Sequence, residues 1–108
     1  MIDIDTKTTC CIEDTPDFQK IEESANLLKV ISDTNRIKIL CILSKEKICV
    51  CDLADKLGIA QNLVSHHLKV LEESLILKKK KTGNQIFYSI IPEKEHMVKH
   101  LKILIGLN

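Results

Sequence analysis

Residues 51–71 read CDLADKLGIAQNLVSHHLKVL, and the fold turns on them. Leu53 and Leu57 stand four apart, the spacing of one helix face. Gly58 follows, the residue type that tolerates the left-handed conformation that closes a helix. Ile59-Ala60 lead into a second helix. On a 3.6-residue wheel Val64, Leu68 and Leu71 fall on one side of it, while Asn62, Ser65, His66 and Lys69 cluster on the other with Gln61 at the edge. Two helices across a tight glycine turn, the second with a hydrogen-bonding outer face, form a helix-turn-helix pattern. His67 lies beside the apolar stripe and is expected to pack or cap.

Toward the C-terminus the period changes. ILKKKK is followed by Thr82-Gly83-Asn84 and then QIFYSII, and the flanks alternate loosely and are rich in Ile, Phe and Tyr. Gly83 and Asn84 are expected to supply the positive φ angles of a tight reversal, so this is a hairpin. A helix-turn-helix followed by a basic hairpin is a winged helix-turn-helix, mainly α with one small β-hairpin. Pro92-Glu93 starts a last helix, with Met97, Leu101, Leu104 and Ile105 as its apolar stripe. Toward the N-terminus, Ile21, Ala25, Leu28 and Ile31 recur at helical spacing. Ser32-Asp33-Thr34-Asn35 then offers N-cap oxygens for a helix carrying Ile37, Leu40, Cys41 and Leu43, which the polar run 44–47 ends. The stripes of the first and last helices have no home inside so small a domain and are expected to form a two-fold homodimer.

The chain has 108 residues, 44% hydrophobic, 29% charged and only 3% aromatic. That is one soluble domain packed mainly by Ile and Leu. Residues 1–16 have no helical period and are read as a flexible N-terminal arm, with residues 17–108 as the DNA-binding and dimerisation domain. No apolar run approaches the roughly 18 residues of a membrane span and no leader pattern opens the chain, so the expected place is the cytoplasm, without membrane partners. The net charge of +1 hides an uneven distribution. Residues 1–23 carry two lysines against seven carboxylates, a local −5, and residues 56–81 carry six lysines against two, a local +4. That basic segment coincides with the second helix and the hairpin.

An α-helix fits the major groove, where Asn and Gln can read adenine and Ser and His can reach base or phosphate oxygens. Gln61, Asn62, Ser65 and His66 are therefore the base-edge candidates on double-stranded operator DNA. Lys69, Lys79, Lys80 and Lys81 are the phosphate candidates. The plainer alternative for Lys78 to Lys81 is that they guard an exposed strand edge against aggregation.

Five cysteines, an odd number, in a chain expected to stay in the cytoplasm point to reduced thiols with metal or redox chemistry. Cys49 and Cys51 lie about 200° apart around a regular helix and cannot share an ion from within it. At an unwound first turn they can converge, and an ion held there reshapes the helix that supports the reading helix. Soft ions take three or four sulfurs. Cys41 sits among Leu40, Ile42 and Leu43 and reads as core. Cys10 and Cys11, in the polar arm, are the remaining ligand candidates.

The stretch IKILCILSKEKICVCDLADKLGIAQNLVSHHLKVLEESLI with its lysine-rich wing strongly resembles the ArsR/SmtB family of winged-helix metalloregulatory repressors, over about Leu27 to Ile91. The C-V-C-D-L element with V-S-H-H-L behind it carries the resemblance. It implies a homodimer that sits on an operator without inducer, leaves when metal binds, and controls a metal-resistance operon. The arsenic-sensing branch has a third cysteine at the position of Ala54, which this chain lacks. In the cadmium and lead branch two spaced N-terminal cysteines from the partner subunit complete the site, whereas Cys10 and Cys11 are adjacent here. The resemblance thus implies a three- or four-thiolate site for Cd2+ or Pb2+, or for As(III) or Sb(III). The family's second site, for zinc on the last helix, corresponds to PEKEHMVKH, in which His96 and His100 with Glu93 or Glu95 are the only donors.

Two other functions share the fold. One is a thiol-redox-responsive repressor in which Cys10, Cys11, Cys49 and Cys51 form disulfides. The other is a winged helix used only as a protein-interaction module. An enzyme is not expected: no acid–base pair stands in a pocket-forming context, and a CxC pair without a C-x-x-C arrangement does not resemble an oxidoreductase.

Overall fold

The computed structural model describes residues 15–107. Five helices and one hairpin follow in chain order: α1 Thr15–Ile31, α2 Thr34–Leu43, α3 Val50–Leu57, α4 Gln61–Glu73, β1 Leu77–Thr82, β2 Gln85–Ile90 and α5 Pro92–Leu104. The architecture is a winged helix-turn-helix, with α3 and α4 as the two helices of the motif and β1–β2 as the wing.

Asp33 separates α1 from α2. Its backbone is extended, and its Oδ1 accepts hydrogen bonds from the N–H groups of Asn35 at 2.9 Å and Arg36 at 3.2 Å, satisfying two of the free donors at the start of α2. Burial alone would raise the carboxyl's pKa. The Arg36 and Asn35 N–H groups, with the Arg36 charge, outweigh it and hold the pKa below the usual carboxylate value. A depressed folded pKa gives stability that is complete above about pH 4 and is lost as pH falls through the folded value. Asp33→Ala is expected to cost about 1 kcal/mol of stability, in the roughly 0.5–2 kcal/mol range of a lost cap. Urea midpoints at pH 7 and pH 3 check this, and the difference between wild type and variant should shrink at the lower pH.

The core is built on α4. Val64, Leu68 and Leu71 are fully buried on the expected side and meet Ile39 and Leu40 of α2, Leu53 and Ala54 of α3, Ile76 and Leu77 at the start of the wing, Ile90 and Val98. Ile39 was not on the expected α2 stripe. It is buried along with Leu40 because α2 packs against α3, α4, β2 and α5 at once, so its buried arc is wider than one stripe.

The two helix-turn-helix elements join as expected at Gly58, whose φ of 71° places it in the left-handed region. A second left-handed residue, Leu75 with φ 62°, closes α4. The Ile76 N–H reaches the Leu71 carbonyl and the Leu75 N–H the Glu72 carbonyl, both at 3.0 Å, the double bond of a Schellman closure. Leucine is strained there and is 69% exposed. Leu75→Gly should raise stability by about 0.5–1 kcal/mol, read as a higher urea midpoint at unchanged slope.

The wing pairs Leu77 with Ile90 through Thr82 with Gln85, leaving a two-residue loop. Only Gly83 has a positive φ, 64°; Asn84 does not, which corrects the sequence expectation. One positive φ at the first loop position suffices for a II′-type reversal, the position that favours glycine. The apolar stripe expected on the last helix also divides. Val98 is buried and Met97 and Leu101 lean on the core, whereas Leu104 is 81% exposed and Ile105 lies past the helix end.

Candidate metal centre and DNA-reading face

The chain is extended at Cys49, the N-cap of α3, with φ −79° and ψ 164°, and helical from Val50. That break in the helical path brings the two thiols together. Cys49 Sγ and Cys51 Sγ lie 3.1 Å apart, with Cys49 buried and Cys51 exposed. A carboxylate oxygen of Asp52 lies within 4.8 Å of both sulfurs. The sequence pointed to the thiols but not to Asp52. The available signal was its place in the first turn of a helix, where the free N–H groups favour an anion.

The Asp52 backbone N–H favours a thiolate at Cys49, though the sulfur closes no capping hydrogen bond. The Cys51 thiol, burial and the Asp52 carboxylate outweigh it and push the Cys49 pKa up. An incoming ion therefore has to displace protons. The donor set suits a soft ion.

Two thiols and one carboxylate do not complete a soft-ion site. Cys10 and Cys11 lie outside the described residues. Cys41 is half-buried on α2 beside Ile37, Ile42, Lys56 and Leu57, and stands outside the cluster. Ala54, where the arsenic-sensing branch carries its third cysteine, is buried in the core. On α5 the His96 and His100 rings meet edge to face at 5.3 Å, and His100 Nδ1 lies 2.9 Å from the His96 carbonyl oxygen. Among the described residues neither Glu93 nor Glu95 joins them in a three-donor group.

The thiols open onto a cleft shared with the exposed side of α4. Cys49, Val50 and Cys51 line one wall of a cleft of about 200 Å3, Gln61 and Ser65 of α4 another, and Asn84, Gln85, Ile86 and Tyr88 of the wing a third. Cys49 is also bridged through its backbone to Phe87 of β2, so the thiol segment is an added edge of the wing. Lys47, two residues earlier, places its Nζ 4.9 Å from the centre of the Phe87 ring.

Gln61, Asn62, Ser65, His66 and Lys69 are all exposed on α4, on the side away from Val64, Leu68 and Leu71. Lys79, Lys80 and Lys81 are exposed on β1 but do not share a face. Lys79 and Lys81 pair with Tyr88 and Ile86, the residues that line the cleft beside α4. Lys80 pairs with Phe87 and lies with Lys78 on the opposite face, beside residues 43–47.

Residues 33–79 match the model of the bacterial regulatory protein, arsR family. The chain is 35% identical over 69 residues to the arsenical resistance operon repressor of Staphylococcus aureus, covering 64% of this chain and 66% of that protein. The crystal structure of the transcriptional repressor BigR from Xylella fastidiosa superimposes with a TM-score of 0.73 at 33% identity, covering 81% of this chain and 87% of that one. This chain belongs to the ArsR family. The family is one of bacterial regulatory proteins, and this chain shares the winged helix-turn-helix fold of its solved neighbours. It is also 38% identical over 74 residues to the cadmium resistance transcriptional regulatory protein CadC homolog of Staphylococcus aureus, covering 68% of this chain and 60% of that protein. The chain spans 55 to 66% of the length of several curated relatives it matches. Among the described residues no helix is long and apolar enough to cross a membrane.

Proposed function

We propose that this ArsR-family protein is a homodimeric repressor that occupies operator DNA through α4 and the wing and is released by a thiophilic ion bound at Cys49 and Cys51. The observation that carries this reading is the 3.1 Å approach of the two sulfurs in a cleft walled by Gln61, Ser65 and the wing. Cys10 or Cys11 of the partner subunit supplies the missing thiolate, and the ion is Cd2+, Pb2+, As(III) or Sb(III). The two Staphylococcus relatives named for arsenical and cadmium resistance support the class.

Gln61, Asn62, Ser65 and His66 read base edges in the major groove, and Lys69, Lys79 and Lys81 hold phosphates. The exposed apolar residues of α1 (Phe18, Ile21 and Leu28) and of the C-terminal end (Ile103 and Leu104) form the dimer face. Release follows from the shared walls. An ion that draws Cys49 and Cys51 around itself moves the start of α3 and, through the Cys49–Phe87 bridge, the wing strand beside it. The two reading helices then lose the spacing an operator demands.

Oxidation is the second reading, favoured by the same sulfur–sulfur approach. A peroxide would convert two thiols to a disulfide and be reduced to water. Titration of the operator-bound protein with Cd(II), Pb(II) and arsenite under anaerobic conditions separates the readings. Release reversed by a chelator supports metal sensing; release seen only with peroxide and reversed only by a dithiol supports oxidation. A chain with no salt-dependent affinity for any duplex would be an interaction module instead.

A further inference from the structure

His67 is the one polar residue in the core among the described residues, 6% exposed and directly after His66 of the reading face. Arg36 Nε donates to its Nδ1 at 3.2 Å, and Arg36 Nη1 donates to the Val30 carbonyl at 2.9 Å. Arginine has only donors, so Nδ1 must present its lone pair and the neutral ring carries its proton on Nε2. That nitrogen lies 3.9 Å from Asp33 Oδ1, the oxygen that caps α2. The last turn of α1, the first turn of α2 and the middle of α4 therefore meet at one guanidinium and one imidazole, partners 31 residues apart in sequence.

Val64, Leu68 and Leu71 hold α4 against the core and set which side faces out, but apolar contacts are non-directional and leave small rotations about the helix axis loosely defined. A hydrogen bond to a single ring atom defines them well. On α4, rotation decides which residues face the duplex. We infer that the Arg36–His67 pair is a positioning device that sets the azimuth of the reading helix relative to α1. It works through His67 Nδ1 as acceptor. Because α1 carries part of the face assigned above to the dimer, the inference rests on that reading where it concerns the spacing of two reading helices. The azimuth itself does not depend on it.

The prediction separates two near-isosteric changes. In His67→Asn the side-chain oxygen falls near the place of Nδ1 and keeps an acceptor for Arg36. In His67→Gln the amide lies one bond further out, near Nε2, and leaves Arg36 without it. Arg36→Lys offers a single donor group that cannot serve Val30 and His67 as the fork does. Affinity is to be measured for the operator, for a single half-site and for random duplex at one salt concentration. Sedimentation and far-UV circular dichroism on the same full-length samples report assembly and fold.

His67→Asn should stay within about threefold of wild type on the operator. His67→Gln and Arg36→Lys should lose about tenfold or more, the scale of an unsatisfied buried donor. All three should hold random duplex within about twofold, since the lysines that supply that affinity are untouched. Equal operator affinity for the Asn and Gln variants would overturn the inference. So would losses equally large on operator and random duplex, or unfolding of all three. A wild-type chain that sediments as a monomer would sink the dimer reading instead, and the half-site comparison would still decide this one.

Discussion

Replacing both Cys49 and Cys51 with serine is expected to leave operator affinity within about twofold of wild type while abolishing release by Cd(II), Pb(II) or arsenite. The thiols line the same cleft as Gln61 and Ser65, and neither is a base-edge candidate. Serine keeps the size and loses the soft donor. Cys49 holds the wing by its backbone, through the bridge to Phe87, and that bridge survives the change. In the wild type the coupling is expected to weaken operator binding roughly 5- to 150-fold, the usual 1–3 kcal/mol of allosteric coupling. In the double variant that factor should fall to one, as read by fluorescence anisotropy on a labelled operator with and without inducer. If the serine protein failed to bind DNA at all, the thiols would be structural and the switch would lie elsewhere.

The second large effect concerns the two faces of the wing. Lys79 and Lys81 share the face of Ile86 and Tyr88, toward the reading helix, whereas Lys80 shares the face of Phe87, beside residues 43–47. Each phosphate contact contributes about 0.9 to the log–log slope of affinity on salt. Changing Lys79 and Lys81 together to glutamine should lower that slope by about 1.8 and weaken binding at moderate salt by tenfold or more. The Lys80→Gln change should move the slope by less than half a unit on the same scale. Titrations at three or more salt concentrations would resolve the difference. Equal effects of Lys79 and Lys80 would mean that the wing enters the duplex edge-on, with both faces against phosphate.

Much of this was legible in the sequence where the signal is local. The stripe of Val64, Leu68 and Leu71, the turn at Gly58, a cap within residues 32–35 and the hairpin at Gly83 are each set by neighbours within one or two turns of chain, and the structure has them, with Asp33 as the cap. The convergence of Cys49 and Cys51 was legible as well, because a CxC pair in a regular helix is unable to share an ion. Features that depend on distant partners were not. Ile39 is buried because α2 is enclosed on several sides. Which of the alternating lysines faces α4 depends on strand register, which the run KKKK does not encode by itself. The Arg36–His67 bond spans 31 residues and needs the packed positions of three helices. Asn84 was misread because Asn-containing loops often need two positive φ angles, and this loop needs only the one at Gly83.

The 3.1 Å sulfur pair is the hinge of the whole scheme, and thiophilic ions should report it directly. The decisive measurement is an anaerobic titration of the reduced full-length protein with Cd(II), Pb(II) and arsenite, following sulfur-to-metal absorption, free thiols and operator occupancy in one sample. Expected are one ion per Cys49–Cys51 pair, the loss of at least three titratable thiols per ion, and operator release in step with the absorption. Absorption that saturates while the operator stays occupied, or thiols that remain free at every ion tested, would contradict the scheme.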